Sequence, residues 1–179
     1  MLPCKGLPPV IAIVPLSVVE NSAVEALLDR AFGPERHART AYQVRGTAAA
    51  IAALSFAAVE GDSLLGSIQC WPVTMTGDDN KRTALVMIGP VAVEPSRQRD
   101  GIGRRLVAAA LEAAAANQLD GAMMLIGDPE YYGRFFGFSA AKTDAWRLPG
   151  PVEARRLLAR GDAVPPGPGV LGPCAQAMA

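Results

Sequence analysis

The spacing of apolar positions changes several times along this chain, and each change predicts an element. Residues 10–16 are β-branched and apolar and read as a first strand. Val24, Leu27, Leu28, Ala31 and Phe32 recur at helical spacing, which predicts an amphipathic helix over 21–32, stopped by Gly33-Pro34. A shorter helix is predicted over 36–45, with Arg39, Tyr42 and Arg45 three residues apart. Two apolar runs, 49–60 and 64–75, flank Gly61-Asp62 and signal a hairpin. The turn at 77–80 leads into a third meander strand over 83–93. Pro90 cannot donate to a ladder, so this strand is expected to bulge or splay at Gly89-Pro90. Leu106, Val107, Ala110, Leu111 and Ala114 then predict a strong helix over 102–116, followed by a short buried strand over 122–126. Asp128 is a natural N-cap with Pro129 at the first helical position, for a helix over 131–136 ended by Gly137. Residues 138–147 read as a strand, 148–151 as a break, and 152–160 as either strand or helix. The ends, 1–9 and the patternless Gly/Pro/Ala-rich 161–179, read as a loose start and a mobile or loosely draped tail.

The order β-α-α-β-β-β-α-β-α-β describes one mixed α/β (α+β) domain over 1–160, with an antiparallel meander in its centre and a tail over 161–179. Composition agrees with a globular chain: 50% of residues are hydrophobic and 19% charged. Lysine plus arginine equals aspartate plus glutamate at 17 each, so the basic excess of a nucleic-acid binder is missing. The apolar runs fall short of the ~20 residues that span a bilayer, and the first residues do not form a signal peptide. These features predict a cytoplasmic protein with neither a membrane nor a nucleic-acid partner. Three scattered cysteines and one histidine predict no disulfide framework and no metal site.

The chemistry is concentrated in 85–106. A strand with an interior Gly-Pro runs into Gln98-Arg99-Asp100-Gly101-Ile102-Gly103-Arg104 and then into the long helix. Glycines there let successive N–H groups point outward at a helix N-terminus, where the dipole is positive. Arg99, Arg104 and Arg105 add charge suited to phosphates. The ligand implied is a pyrophosphate or phosphate ester; the plain alternative is a tight connection. A P-loop requires a lysine that this loop lacks. A dinucleotide turn requires glycine where Leu106 stands, and a first strand rather than a fourth.

Gln98-x-x-Gly101-x-Gly103 after a bulged strand, with Tyr131-Tyr132 and Phe136-Gly137-Phe138 downstream, resembles the GNAT superfamily of acetyl-CoA-dependent N-acetyltransferases, and in particular its small bacterial predicted members. Leu27 to Gly33, Leu65 to Ile68 with Trp71-Pro72-Val73, Gly89 to Val93 with Pro95, and Gly127 to Tyr132 carry the same resemblance, which covers 10–160. It implies a sheet splayed between strands four and five and acetyl-CoA as acyl donor, without a metal. It implies that the loop amides of Arg99, Asp100, Gly101, Ile102, Gly103 and Arg104 hold the CoA pyrophosphate. The backbone of Val91, Ala92 and Val93 would lie along the pantetheine arm. The same resemblance implies a tyrosine acid for the departing thiolate: Tyr132, with Tyr131 in reserve. Tyr132 stands five residues before Gly137 where the family has four, and near the place where many relatives carry an asparagine, about seven residues before the tyrosine, this chain has Asp128-Pro129, only four before Tyr132. These departures support the alternative of a non-catalytic CoA-binding module.

The acceptor implied is an amine on a small molecule or peptide, and the resemblance leaves a homodimer open. Arg39, Tyr42 and Arg45 are either an acceptor wall or a solvated helix face. Trp71 and Trp146 either border that cleft or pack in the core, and His37 lines it or lies on the surface. Glu60 and Glu94 are the carboxylates nearest the predicted site, with a water chain as the competing route for the amine proton. Cys70, mid-strand and without a histidine partner, reads as core.

Overall fold

A computed structural model describes residues 10–174; the loose start expected over 1–9 and the last five residues of the expected tail lie outside them. Eight strands form one mixed sheet. They are β1 (Ala12–Pro15), β2 (Phe56–Glu60), β3 (Ser63–Gly77), β4 (Arg82–Val93), β5 (Met123–Ile126), β6 (Trp146–Arg147), β7 (Leu157–Arg160) and β8 (Gly169–Pro173). The helices are α1 (Asn21–Phe32), α2 (Thr40–Arg45), α3 (Ile102–Ala116) and α4 (Pro129–Phe136). The main path runs β1-β2-β3-β4-β5-β7, antiparallel except for β4-β5. β3 is long enough to carry β2 along its first half and β8 along its second.

Side chains alternate across the strands, and both faces are buried. Ile68 and Cys70 of β3, Val86 and Ile88 of β4, and Met123 and Leu125 of β5 face α3 with its Leu106, Val107 and Ala110. Trp71, Val73 and Met75, Leu85 and Met87, and Met124 face the other way, with Val44 of α2 packed among them. Val24, Leu27 and Leu28 of α1 close over Ala92. Gly66 sets the seat of α3: a Cβ there would lie 2.8 Å from Ile102 Cγ2 and 3.0 Å from Ala92 O. The start of α3 is thereby brought against the end of β4.

The structure departs from the sequence reading after Phe138. Of the strand predicted over 138–147 only β6 exists, with a single bridge between Ser139 and Ala159. Turns fill the interval, and Thr143 donates its hydroxyl to Leu157 O at 2.6 Å instead of joining a ladder. The ambiguous 152–160 segment resolves as a 3-10 turn followed by β7. The predicted tail is also corrected. Residues 169–173 form β8, paired with β3 from Val73 to Gly77, with Leu171 fully buried. Gly169 allows that contact, because a Cβ would come within 2.5 Å of Thr76 O.

Candidate functional site

β4 and β5 pair only at Val86–Met123 and Met87–Met124. Beyond them β4 bulges: Ile68 and Cys70 of β3 face Val91 and Ile88, so Gly89 and Pro90 together stand opposite the single residue Gln69. Gly89 has φ +114°, a conformation that favours glycine. Past the bulge, Glu94 N–H donates to Leu65 O on β3 at 2.7 Å. By strand alternation Val91 and Val93 therefore turn their N–H and C=O groups away from β3, into the gap that β5 has left. The expected splay between strands four and five is present, and it exposes a row of unpaired backbone groups.

The loop that follows is clamped from behind. Arg97 donates to Glu60 at 3.1 and 3.2 Å and to Asp100 at 2.5 Å, while Asp100 N–H donates to Arg97 O. Gly101 caps α3 in the left-handed region, at φ +72°. Among the described residues, the N–H groups of Arg99, Gly101, Ile102, Gly103 and Arg104 donate to no carbonyl or side chain. These are the unsatisfied donors of a helix start, gathered at its positive end. Val91, Val93, Arg99, Gly101, Gly103 and Arg104 line one cleft of about 480 Å³, together with Tyr131 and Tyr132. Three residues named with them do not line it. Ala92 faces α1, Ile102 is buried under Gly66, and Asp100 is held by Arg97.

Tyr132 stands at the far end of this cleft. The Asp128 cap predicted for α4 is present, its carboxylate accepting from Glu130 N at 3.1 Å. The Tyr132 ring lies on Gly127, where a Cβ would sit 2.4 Å from Cε2. Burial pushes its phenol up to about 12. Tyr131 packs edge-on against Tyr132 and Phe135, and burial raises its phenol while nearby Arg104 opposes the rise.

A second cavity of about 1040 Å³ opens on the other side and shares Phe32, Val91 and Tyr132 with the first. α2, the β4 bulge and residues 151–153 form its walls. Arg36 is buried beneath it and donates to Asp29 at 2.8 Å, to Tyr42 Oη at 2.5 Å and to Glu25. Burial opposes the charge of Arg36, and these hydrogen bonds more than offset it, so its pKa lies above the ordinary value. Sequence reasoning missed this network. Its signal was Glu25 and Asp29 one helical turn apart, two like charges that require a cation between them.

Several other candidates fall away. Glu94 pairs with Arg30 at 2.9 Å and Glu60 with Arg97, so both carboxylates are engaged. His37 is exposed, packs edge-on against Tyr42 and lies outside both clefts. Trp146 belongs to the core. Burial pushes the Cys70 thiol up to about 12, so it is no nucleophile at neutral pH.

The acetyltransferase (GNAT) family model matches residues 21–138, from α1 through α4. This chain belongs to the GNAT family. A solved GNAT family N-acetyltransferase (YhbS) from Escherichia coli, in complex with CoA, has a TM-score of 0.63 at 21% identity. The match covers 87% of this chain and 83% of that one. A GNAT family acetyltransferase from Brucella melitensis, in complex with acetyl-CoA, has a TM-score of 0.52 at 24% identity, over 87% and 99% of the two chains. Eis1 from Mycobacterium abscessus has a TM-score of 0.53 at 19% identity, over 76% of this chain and 32% of its own. No curated protein matches the sequence. The open mixed sheet flanked by helices is the fold shared with these GNAT structures. No helix among the described residues is long and apolar enough to cross a membrane.

Proposed function

We propose that this GNAT protein transfers an acetyl group from acetyl-CoA to a primary amine by direct attack, with both substrates bound at once. The observation that carries this reading is the meeting of the two clefts at Val91 and Tyr132. A donor and an acceptor can thus approach one point from opposite sides. The five free amides, with Arg99 and Arg104, suit a pyrophosphate. The unpaired groups of Val91 and Val93 suit the amides of a pantetheine arm, which would complete the open strand edge. A β4 amide would polarise the thioester carbonyl.

The bonds balance simply. The amine lone pair forms the new C–N bond as the C–S bond breaks. The sulfur takes the Tyr132 phenolic proton, and water removes a proton from the amine. Asp128 is a weak base for that step, since hydrogen bonding with Glu130, whose backbone N–H donates to it at 3.1 Å, holds its carboxyl below the usual range. Burial keeps the Tyr132 phenol protonated at neutral pH, as an acid for the departing thiolate must be.

Calorimetric titration with acetyl-CoA, with NADH and ATP as controls, tests the donor side. Micromolar binding of acetyl-CoA alone is expected, and no binding overturns the reading. A turnover assay with an amine panel then separates a transferase from a module that binds CoA without transfer.

A further inference from the structure

The second cavity carries a cation that the proposed chemistry does not use. The Arg45 guanidinium lies between two rings, 3.9 Å from the centroid of Tyr42 and 3.9 Å from that of Trp71. Its Nη1 is buried without a hydrogen-bond partner, and so is Trp71 Nε1 beside it. Arg45 forms no ion pair among the described residues. Glu25 acts on it only through space, its own oxygen being taken by Arg36. Burying donors without acceptors is costly, most of all for a charged group. Burial accordingly lowers the Arg45 pKa. The aromatic faces leave the edges of the guanidinium as its only route to an anion, and a planar fork of N–H donors matches a carboxylate. The lining carries Arg36, Arg39, Arg45 and Arg156 against Asp128 and Glu153, and Glu25 and Asp29, which do not line it, pair with Arg36.

We infer that Arg45, clamped by Tyr42 and Trp71, is a carboxylate-reading residue, and that the acceptor is an amine carrying a carboxylate, such as an amino acid or short peptide. As an acceptor subsite it rests on the acetyl-transfer reading; carboxylate binding as such does not.

The chain has two tryptophans, so a Trp146→Phe background leaves Trp71 as the sole indole reporter. This protein is titrated, without CoA, with a panel of amino acids and dipeptides and with the C-terminal amide of each. The expected result is a saturable fluorescence change with at least one free carboxylate, weaker by about 10- to 100-fold or absent with its amide, the range of one charge-assisted hydrogen bond. Arg45→Met should abolish the response. Arg45→Lys, which keeps the charge and guards against a folding artefact, should retain part of it. In the background that keeps Trp146, Arg45→Met should raise KM for carboxylated acceptors by a similar factor relative to the wild-type enzyme, with little change in kcat or in acetyl-CoA affinity. Equal response to acids and amides, or no saturable response to either, overturns the inference while leaving acetyl-CoA binding intact. Failure to bind acetyl-CoA, with the Trp71 response present, overturns the transfer reading and the acceptor role alone.

Discussion

The two clefts that meet at Tyr132 are made of different material. The cleft proposed for the donor is built from backbone: free amides at the start of α3 and the unpaired edge of β4. The cavity proposed for the acceptor is walled by side chains: Arg36 donates to Tyr42, and Arg45 lies between the rings of Tyr42 and Trp71, the latter a core residue behind the wall. Backbone donors are supplied by any sequence that adopts the turn, so such a site is set by glycine and by topology. Side-chain walls are set residue by residue, and specificity is expected to reside there.

The largest expected effect lies where the two materials meet. Tyr132→Phe keeps the ring on Gly127 but removes the acid, and should lower kcat by about 10²- to 10⁴-fold with acetyl-CoA affinity unchanged. Tyr131→Phe should stay within a few-fold, and the reverse ranking in steady-state assays would transfer the acid role to Tyr131. Gly127→Ala pushes a methyl into the Tyr132 ring and should cost up to about 100-fold in kcat through misplacement alone.

The next effect separates backbone from side chain. Gly103→Val grows from a position where an added Cβ would meet Val93 and Val91 at 3.6 and 3.9 Å, so it fills the cleft proposed for the donor. It should weaken acetyl-CoA binding by about tenfold or more in calorimetry, which is about 1.4 kcal/mol. Arg99→Ala and Arg104→Ala should each cost less. If either arginine alone abolished binding, the donor cleft would be a side-chain site after all and the contrast would collapse.

Arg36→Met should act on the acceptor side only. It strips Glu25, Asp29 and Tyr42 of their shared partner and should cost about 2–4 kcal/mol of stability, read as a lower Tm, with acetyl-CoA affinity unchanged in whatever protein stays folded. The smallest effect is in pH. The Tyr132 pKa of about 12 in the folded chain lies above the ordinary phenol value near 10. Its contribution to stability is whole below pH 10 and is lost as pH rises through 12. The rate should therefore climb with deprotonation of the acceptor amine and show no falling limb up to about pH 10.

What could be read in advance follows the same division. The helices over 21–32 and 102–116, the bulge at Gly89-Pro90 and the Asp128 cap were legible, because each rests on local rules of period, turn chemistry and capping. The glycine turn at the start of α3 was legible for that reason also. β8 was not: Gly169, Gly172 and Pro173 carry no strand signal, and they pair because β3 has an open half, a fact visible only in three dimensions. The wall of the second cavity was half legible. The spacing of Arg39, Tyr42 and Arg45 could be seen, but nothing local shows that Trp71 of β3 completes the stack on Arg45.

β8 has a consequence for how the molecule is made. Val73 finds its partner at Pro173, a hundred positions along the chain. While the protein is being synthesised, the outer half of β3 stays an open, largely apolar ribbon long after β2, β4 and α3 have emerged. Such an edge can recruit another chain before its own partner arrives. The closing segment therefore acts as a late-arriving guard against self-association. Its loss by proteolysis or early termination should be felt first as aggregation, before any change in the chemistry at Tyr132.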